Sequence, residues 1–271
     1  MKHKFTHAVT FLCLFCLLIT SLLGCSGNQT STNTKKSEVP TMTASPTPTQ
    51  QAATTSPAAT ATPTPENTIK NTEPFTLTWL GHAAVKLRSK AGKVVYIDPS
   101  GSSADFSDPA DIVLVTHAHD DHKPSETLAR KDTCIEITAA KALVDGVYQK
   151  FDYGDIQVEA VPAGGNGNHA VGSGVGYIVT VDGVTVYHAG DTSMIDEMKA
   201  LTKRKLDYAM YPIDGLYNMN AIEATKVATL VGAKHNIPIH DFNDFNQHKE
   251  DKFTPNGKLV IPKGGTIYLE K

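Results

Sequence analysis

The sequence predicts a layered fold of mixed α/β or α+β type, on three observations. Short β-type runs recur from residue 75 onward, Asp182-Gly183 sits between two of them as a two-residue hairpin turn, and the later runs alternate with helical patterns. In chain order the β-type runs are 75–80, 84–88, 94–97, 112–115, 156–161, 175–181, 184–187, 208–211, 236–239 and 266–269. Helical patterns fall near 139–145, 193–201 and 221–231. In the last of these, Asn220 is placed to cap the first turn, Glu223 to complete a capping box and Gly232 to end the helix. No repeat of solenoid length is present.

The N-terminal residues 1–25 are expected to lie outside this fold. Lys2 and Lys4 precede an apolar stretch from about Ala8 to Leu23, and polar low-complexity sequence follows at once, as after a secretory signal rather than a spanning helix. The stretch ends in Leu22-Leu23-Gly24-Cys25, which resembles a bacterial lipobox with Cys25 as the lipidated residue; an uncleaved signal anchor is the alternative. Either reading predicts an exported chain held at the outer face of the bacterial cell membrane. Cys13 and Cys16 belong to the apolar stretch, so of four cysteines Cys134 alone remains for the folded part, and no internal disulfide framework is expected. Residues 26–73 are rich in Thr, Pro, Ser and Ala and nearly devoid of large apolar side chains, the composition of a disordered tether.

Residues 74–271 suit one domain. They hold 20 of the 25 Lys and Arg and 25 of the 28 Asp and Glu, a mildly acidic balance. Without a basic stripe interleaved with aromatics, nucleic acid is not an expected partner. Lys203-Arg204-Lys205 reads as a solvated helix end, and His235 and His248 as surface residues.

The run Thr116-His117-Ala118-His119-Asp120-Asp121-His122 follows the apolar strand 112–115 and is hard to explain by packing. Alternation along an extended segment places His117 and His119 on one side, able to converge on one ion, while Asp121 and His122 fall on the next turn, within reach of a second position. So many ligand-type groups at such spacing would desolvate or repel one another without a cation. Zinc accepts both imidazole nitrogen and carboxylate oxygen, and catalytic zinc sites keep a position for water.

His117-Ala118-His119-Asp120-Asp121-His122 matches the HxHxDH signature of the metallo-β-lactamase fold superfamily. Trp79-Leu80-Gly81-His82, Tyr96-Ile97-Asp98-Pro99, Tyr187-His188-Ala189-Gly190-Asp191-Thr192 and Ile237-Pro238-Ile239-His240 resemble, in order, segments of its metal-dependent hydrolase branch similar to ascorbate-6-phosphate lactonase. The resemblance implies an αββα four-layer sandwich. It also implies a first metal held by His117, His119 and His169, a second by Asp121, His122 and His240, and Asp191 bridging the two. Around His169 the sequence Gly164-Gly165-Asn166-Gly167-Asn168 departs from the usual pattern. His82 and His188 belong to the matching motifs, and each reads either as a pocket residue or as a hydrogen-bonded core histidine. Asp98 is expected to orient a ligand histidine through its ring N–H. In the loop 212–219, Asp214 and Tyr217 are candidate substrate contacts, although turn chemistry alone explains Asp214-Gly215.

The expected chemistry is attack on a carbonyl or phosphoryl centre by hydroxide held between two divalent ions, zinc first and manganese as the alternative, with Asp121 orienting the nucleophile. The substrate expected is a small molecule or lipid-derived ester, lactone or phosphodiester. A non-catalytic metal- or ligand-binding surface lipoprotein is the alternative. Redox chemistry at two irons is the third reading, and it would call for a flavin domain that the chain has no room for.

Overall fold

The computed structural model describes residues 73–101, 104–241 and 247–271. The expected signal, Cys25 and the tether lie outside them, but for Glu73. Among the described residues no helix is long and apolar enough to cross a membrane.

Two six-stranded sheets face each other. The first is formed by β1 (Thr76–Gly81), β2 (Ala84–Arg88), β3 (Val94–Ile97), β4 (Ala110–Leu114), β5 (Arg130–Ile137) and, at its other edge beside β1, the C-terminal strand Thr266–Tyr268. After β5 come a short helix α1 (Ala139–Ala142) and a small hairpin of β6 (Leu143–Val144) with β7 (Val147–Tyr148). The second sheet is built from β8 (Lys150–Asp152), β9 (Ile156–Pro162), β10 (Val175–Val181), β11 (Val184–His188), β12 (Tyr208–Pro212) and β13 (His235–Ile239), in that order across it. A 3₁₀ segment, Asp196–Lys203, precedes β12, helix α2 (Ala221–Val231) joins β12 to β13, and a second 3₁₀ turn, Lys249–Lys252, follows β13. The C-terminal strand is β14.

Side-chain alternation decides what lies between the sheets. In β3, Val95 and Ile97 enter the main core while Val94 and Tyr96 face the other way; in β4, Ile112 and Leu114 point inward and Val113 outward. From the second sheet, Val158, Ala160, Tyr177 and Val179 meet them. β12 is buried along its whole length, as expected of a parallel strand between parallel neighbours. The helical layers are unequal. α2 and the 3₁₀ segment Asp196–Lys203 pack against the main core. The outer face of the first sheet is covered by loop side chains such as Phe106 and Leu128.

Several local expectations are corrected. The pattern at 139–145 gives only the four-residue α1, because the chain turns at Leu143 into the hairpin. The pattern at 193–201 becomes the 3₁₀ segment Asp196–Lys203. Asn220 does cap α2, accepting from the Ile222 and Glu223 amides at 3.0 Å, but Glu223 does not close a capping box: its carboxylate accepts from the Met194 amide instead. Arg204 is not a solvated helix end, since its guanidinium forks onto the Glu159 carboxylate. His235 is half-buried and stacks on the Tyr208 ring at 4.7 Å, whereas His248 is exposed.

Candidate metal centre

Each predicted site segment follows the C-terminal end of a strand. His82 follows β1, Asp98 β3, the 117–122 run β4, His169 β9, Asp191 β11, Asp214 β12 and His240 β13. Strand directions bring all these ends to one edge of the sandwich, the position where open α/β sheets present their ligands. Backbone bonds join the sheets there: the His240 amide donates to the His82 carbonyl at 2.8 Å, and the Val175 amide to that of Thr116 at 2.9 Å.

The local backbone is specialised for this convergence. His82, Asp98 and His240 all have φ near +50°, a region that non-glycine residues adopt only when the surroundings enforce it. Gly190, at φ +64°, has no alternative: a Cβ there would lie 2.8 Å from the Val175 carbonyl oxygen and 3.2 Å from Thr116 Cβ. That close approach sets Asp191 against the 117–122 run.

Three overlapping donor groups result, in each of which the ligand atoms lie within 4.8 Å of one another. His117, His119 and His169 form one, His117, His122 and Asp191 a second, and His82, Asp121, His122 and His240 a third. His169 Nε2 is 3.2 Å from His119 Nδ1. Asp191 stands between the clusters. Its Oδ1 lies 3.3 Å from His122 Nε2 and 3.2 Å from His240 Nε2, while its Oδ2 lies 3.5 Å from His169 Nε2. The structure thus gathers all seven residues of the expected ligand set and adds His82, whose Nε2 is 3.1 Å from Asp121 Oδ2.

A surrounding layer orients the rings. Asp98, fully buried, accepts from His122 Nδ1 at 2.8 Å, from the Thr116 hydroxyl at 2.6 Å and from the Thr116 amide at 2.8 Å. Since that hydroxyl's proton is given to Asp98, its oxygen accepts from His117 Nδ1 at 3.1 Å, which leaves His117 Nε2 as a lone-pair donor. Asp214 repeats the arrangement on His240, with its Oδ2 3.1 Å from Nδ1. Asp214 Oδ1 accepts from the Leu216, Tyr217 and Asn218 amides, so the loop winds around it. His169 is aimed by the Gly/Asn loop, where the Asn166 side chain accepts from the amides of Asn168 and His169.

Does this set fit a cation? Among the described residues, His117 Nε2 is buried with no hydrogen-bond partner, and His122 Nε2 and Asp191 Oδ1 are buried with strained contacts to each other and, for Oδ1, to His240 Nε2. Such atoms each cost about 1–3 kcal/mol in a protein interior. Pooled on one spot, nitrogen lone pairs and carboxylate oxygens are what a divalent ion of the zinc class accepts. The protonation balance points the same way. Burial alone would lower the pKa of His122, but the Asp98 and Asp191 carboxylates outweigh it and push it up to about 10. His240, likewise buried, is raised to about 9 by Asp191 and Asp214. Burial and the neighbouring His122 charge lower His117 to about 4. Asp191 resists the upward pull of burial and is held well below the usual carboxylate range by His122 and His240. In the metal-free chain, protons on His122 and His240 balance the neighbouring carboxylates. The residues fit.

A cleft of about 320 Å³ opens over the cluster, lined by His119, Asp121, Asn168, His169, Asp191, Tyr217 and His240. A slightly smaller cavity on the second sheet, beside Arg204 and Glu159, holds none of these groups. His188 is not at the cleft. It is fully buried, with Nε2 2.9 Å from the Ala83 carbonyl oxygen and Nδ1 accepting from the Gly190 amide, and so belongs to the core. Asp214 is buried under His240 rather than facing the opening, whereas Tyr217 is part of the wall. Sequence reasoning passed over Asn218, whose Nδ2 donates to both Asp191 Oδ2 at 3.0 Å and Asp214 Oδ2 at 2.9 Å. It also passed over Thr116 as the link between Asp98 and His117. Asn218 lies one residue past Tyr217 in a loop already marked, and that position was its only signal.

Comparisons with known proteins follow this geometry. Residues 76–240 match the model of the beta-lactamase superfamily domain. The chain is 33% identical over 189 residues to a UPF0173 metal-dependent hydrolase of Pyrococcus furiosus, covering 60% of this chain and 83% of that one. It is 38% identical over 183 residues to a UPF0173 metal-dependent hydrolase of Methanoregula boonei, covering 60% and 81%. A crystal structure from Parabacteroides distasonis, described as that of a metal-dependent hydrolase, superposes with a TM-score of 0.59 at 28% identity, covering 70% of this chain and 93% of that one.

Proposed function

The chain belongs to the UPF0173 metal-dependent hydrolases of the beta-lactamase superfamily, and from that premise we propose that it hydrolyses an ester, lactone or phosphodiester bond with water activated at a two-metal site. The observation that carries this reading is the placement of Asp191, one carboxylate facing His122 and His240 with one oxygen and His169 with the other. His117, His119 and His169 would hold one ion, Asp121, His122 and His240 the other, with Asp191 common to both. Zinc is the first expectation and manganese the second. Bound there, the ions supply Lewis acidity and bring water's pKa from 15.7 down to about 7.

The chain's own groups do the rest. Asp98, Thr116 and Asp214 fix the ring orientations, so donors need not reorganise as charge develops. Asp121, half exposed at the cleft, orients the attacking water; its carboxyl is held well below the ordinary range by the His82 contact and by His122, outweighing burial, so it remains a carboxylate. Tyr217 and Asn168 form walls against which substrate is placed.

Asp191→Asn tests the reading. The variant is expected to retain one metal equivalent and lose most hydrolysis over a lactone, phosphodiester and ester panel; two equivalents with unimpaired turnover would remove Asp191 from the bridge. The departure at 164–168 does not displace His169 from the cluster. The proposal also places the chain outside the cell on a lipid anchor, supported by Leu22-Leu23-Gly24-Cys25. Recovery in the soluble rather than the membrane fraction would contradict that part.

A further inference from the structure

Among the described residues, those lining the cleft include no lysine or arginine, and the carboxylates there are Asp121 and Asp191. Two ammonium groups on adjoining segments have carboxylate partners, the first in an exposed pair. Lys123 pairs with Asp120 at 2.5 Å, and Lys249 pairs with Asp241 at 3.2 Å while donating to the Asp214 carbonyl. A phosphorylated or otherwise anionic arm extending away from the reacting bond would find no lysine or arginine among the described lining residues to replace its hydration.

The loops that deliver site residues, taken here as the rim, carry exposed apolar side chains instead. Of ten exposed large apolar side chains among the described residues, five (Val171, Met194, Leu216, Tyr217 and Ile222) lie in the segments 164–171, 191–195 and 214–223. These segments deliver His169, Asp191 and Asp214 to the site, and they are tied together. The Ser193 amide donates to the Gly164 carbonyl at 2.8 Å, the Met219 amide to that of Thr192 at 3.3 Å, and the Met194 amide to the Glu223 carboxylate at 3.4 Å. Isolated exposed apolar residues are ordinary, but several of them on tied loops, with Tyr217 in the cleft wall, offer apolar surface to a ligand.

Building on the hydrolase reading, we propose that the site acts on uncharged carboxylic esters or lactones bearing an apolar acyl arm, which Leu216 and Ile222 cover beside Tyr217. The reaction is balanced by water alone. A bond forms between the acyl carbon and the water oxygen, the acyl carbon–alkoxy oxygen bond breaks, and the alcohol leaves with one of the water's protons.

The experiment uses the full chain loaded with zinc. It follows turnover of p-nitrophenyl acetate, butyrate and octanoate and of bis(p-nitrophenyl) phosphate, and calorimetric binding of acetate and octanoate. A half-covered arm should raise kcat/KM about tenfold or more from acetate to octanoate, chiefly through KM, since each fully buried CH₂ is worth roughly fourfold. The octanoyl-to-acetyl ratio should fall severalfold in Leu216→Ser and, separately, in Ile222→Ser; both side chains are exposed, so folding should be spared. Turnover that does not change with chain length, or phosphodiester turnover exceeding that of every acyl ester, would overturn the acyl arm and leave the hydrolase reading standing. Preferential octanoate binding, lost in the variants but without turnover of any ester, would overturn the hydrolase reading and keep the rim. Neither turnover nor octanoate preference would overturn both.

Discussion

At Asp98 a single buried carboxylate serves two histidines, His122 directly and His117 through the Thr116 hydroxyl. Asp98→Asn keeps the shape but removes the charge that makes His122 basic and the acceptor that fixes the Thr116 proton. Metal affinity is expected to fall about 10–100-fold, the usual cost of losing such a partner; competition against a chelator measures it, and an unchanged affinity would contradict the assignment. The same pairs dictate a pH dependence. In the metal-free protein His122 and His240 have pKa values raised to about 10 and 9. Their contribution to stability is therefore complete below about 6.5 and drains away as pH rises toward 9–10. Ligand histidines must be neutral, so metal binding displaces those protons and strengthens with pH. Melting curves from pH 6.5 to 8.5 should show the metal-free form losing stability while the stabilisation by added zinc grows; a constant metal effect would argue against His122 and His240 as ligands. His169 and Asn218 mark the limit of reading residues from sequence. The residue type announced His169, but only the turn built by Asn166 shows where it points. Asn218 holds carboxylates and ligates nothing, so no motif announces it.

Elements were most legible where local rules and burial agree. β2, β3 and β10 begin and end with the β-type runs of the sequence, and α2 starts at its Asn220 cap and stops at Gly232, whose φ of 70° is the left-handed end a glycine permits. β5 was less readable. Its sequence Arg-Lys-Asp-Thr-Cys-Ile-Glu-Ile is mostly exposed at a sheet edge, so it lacks the apolar alternation of a covered strand. The segment after Asp191 also departs from the expected α-helix. Its carboxylate must stay at the cleft while Met198 and Leu201 reach the core, and the tighter 3₁₀ winding that begins at Asp196 meets both demands. Asn220 offers an element-scale test, because its side chain satisfies two amides of α2. Asn220→Ala should cost about 1 kcal/mol, read as a lower denaturant midpoint at constant slope. No shift would mean that packing of Ala224, Val227 and Val231 alone holds the helix.

Across the whole molecule the site is a seam. His117, His119, Asp121 and His122 come from the first sheet, and His169, Asp191 and His240 from the second, so ions bound there would add to the apolar contact, the few backbone bonds and the side-chain bonds, such as those from the Tyr177 hydroxyl to the Val115 and Ile137 carbonyls, that already join the layers. Binding to the folded state alone would stabilise it by about 2.7 kcal/mol at a hundredfold excess over Kd. The sandwich was anticipated through ordered motifs spread along the domain, and the residues expected to hold metal meet at one edge of it. The uneven helical cover was not, because the loops over the first sheet carry no periodic signal. The most direct test of the two-metal account is metal analysis of the full chain after purification without chelators. Two equivalents of zinc or manganese per chain are predicted; one equivalent or none, in protein that is folded and whose site has been offered both metals, would contradict it.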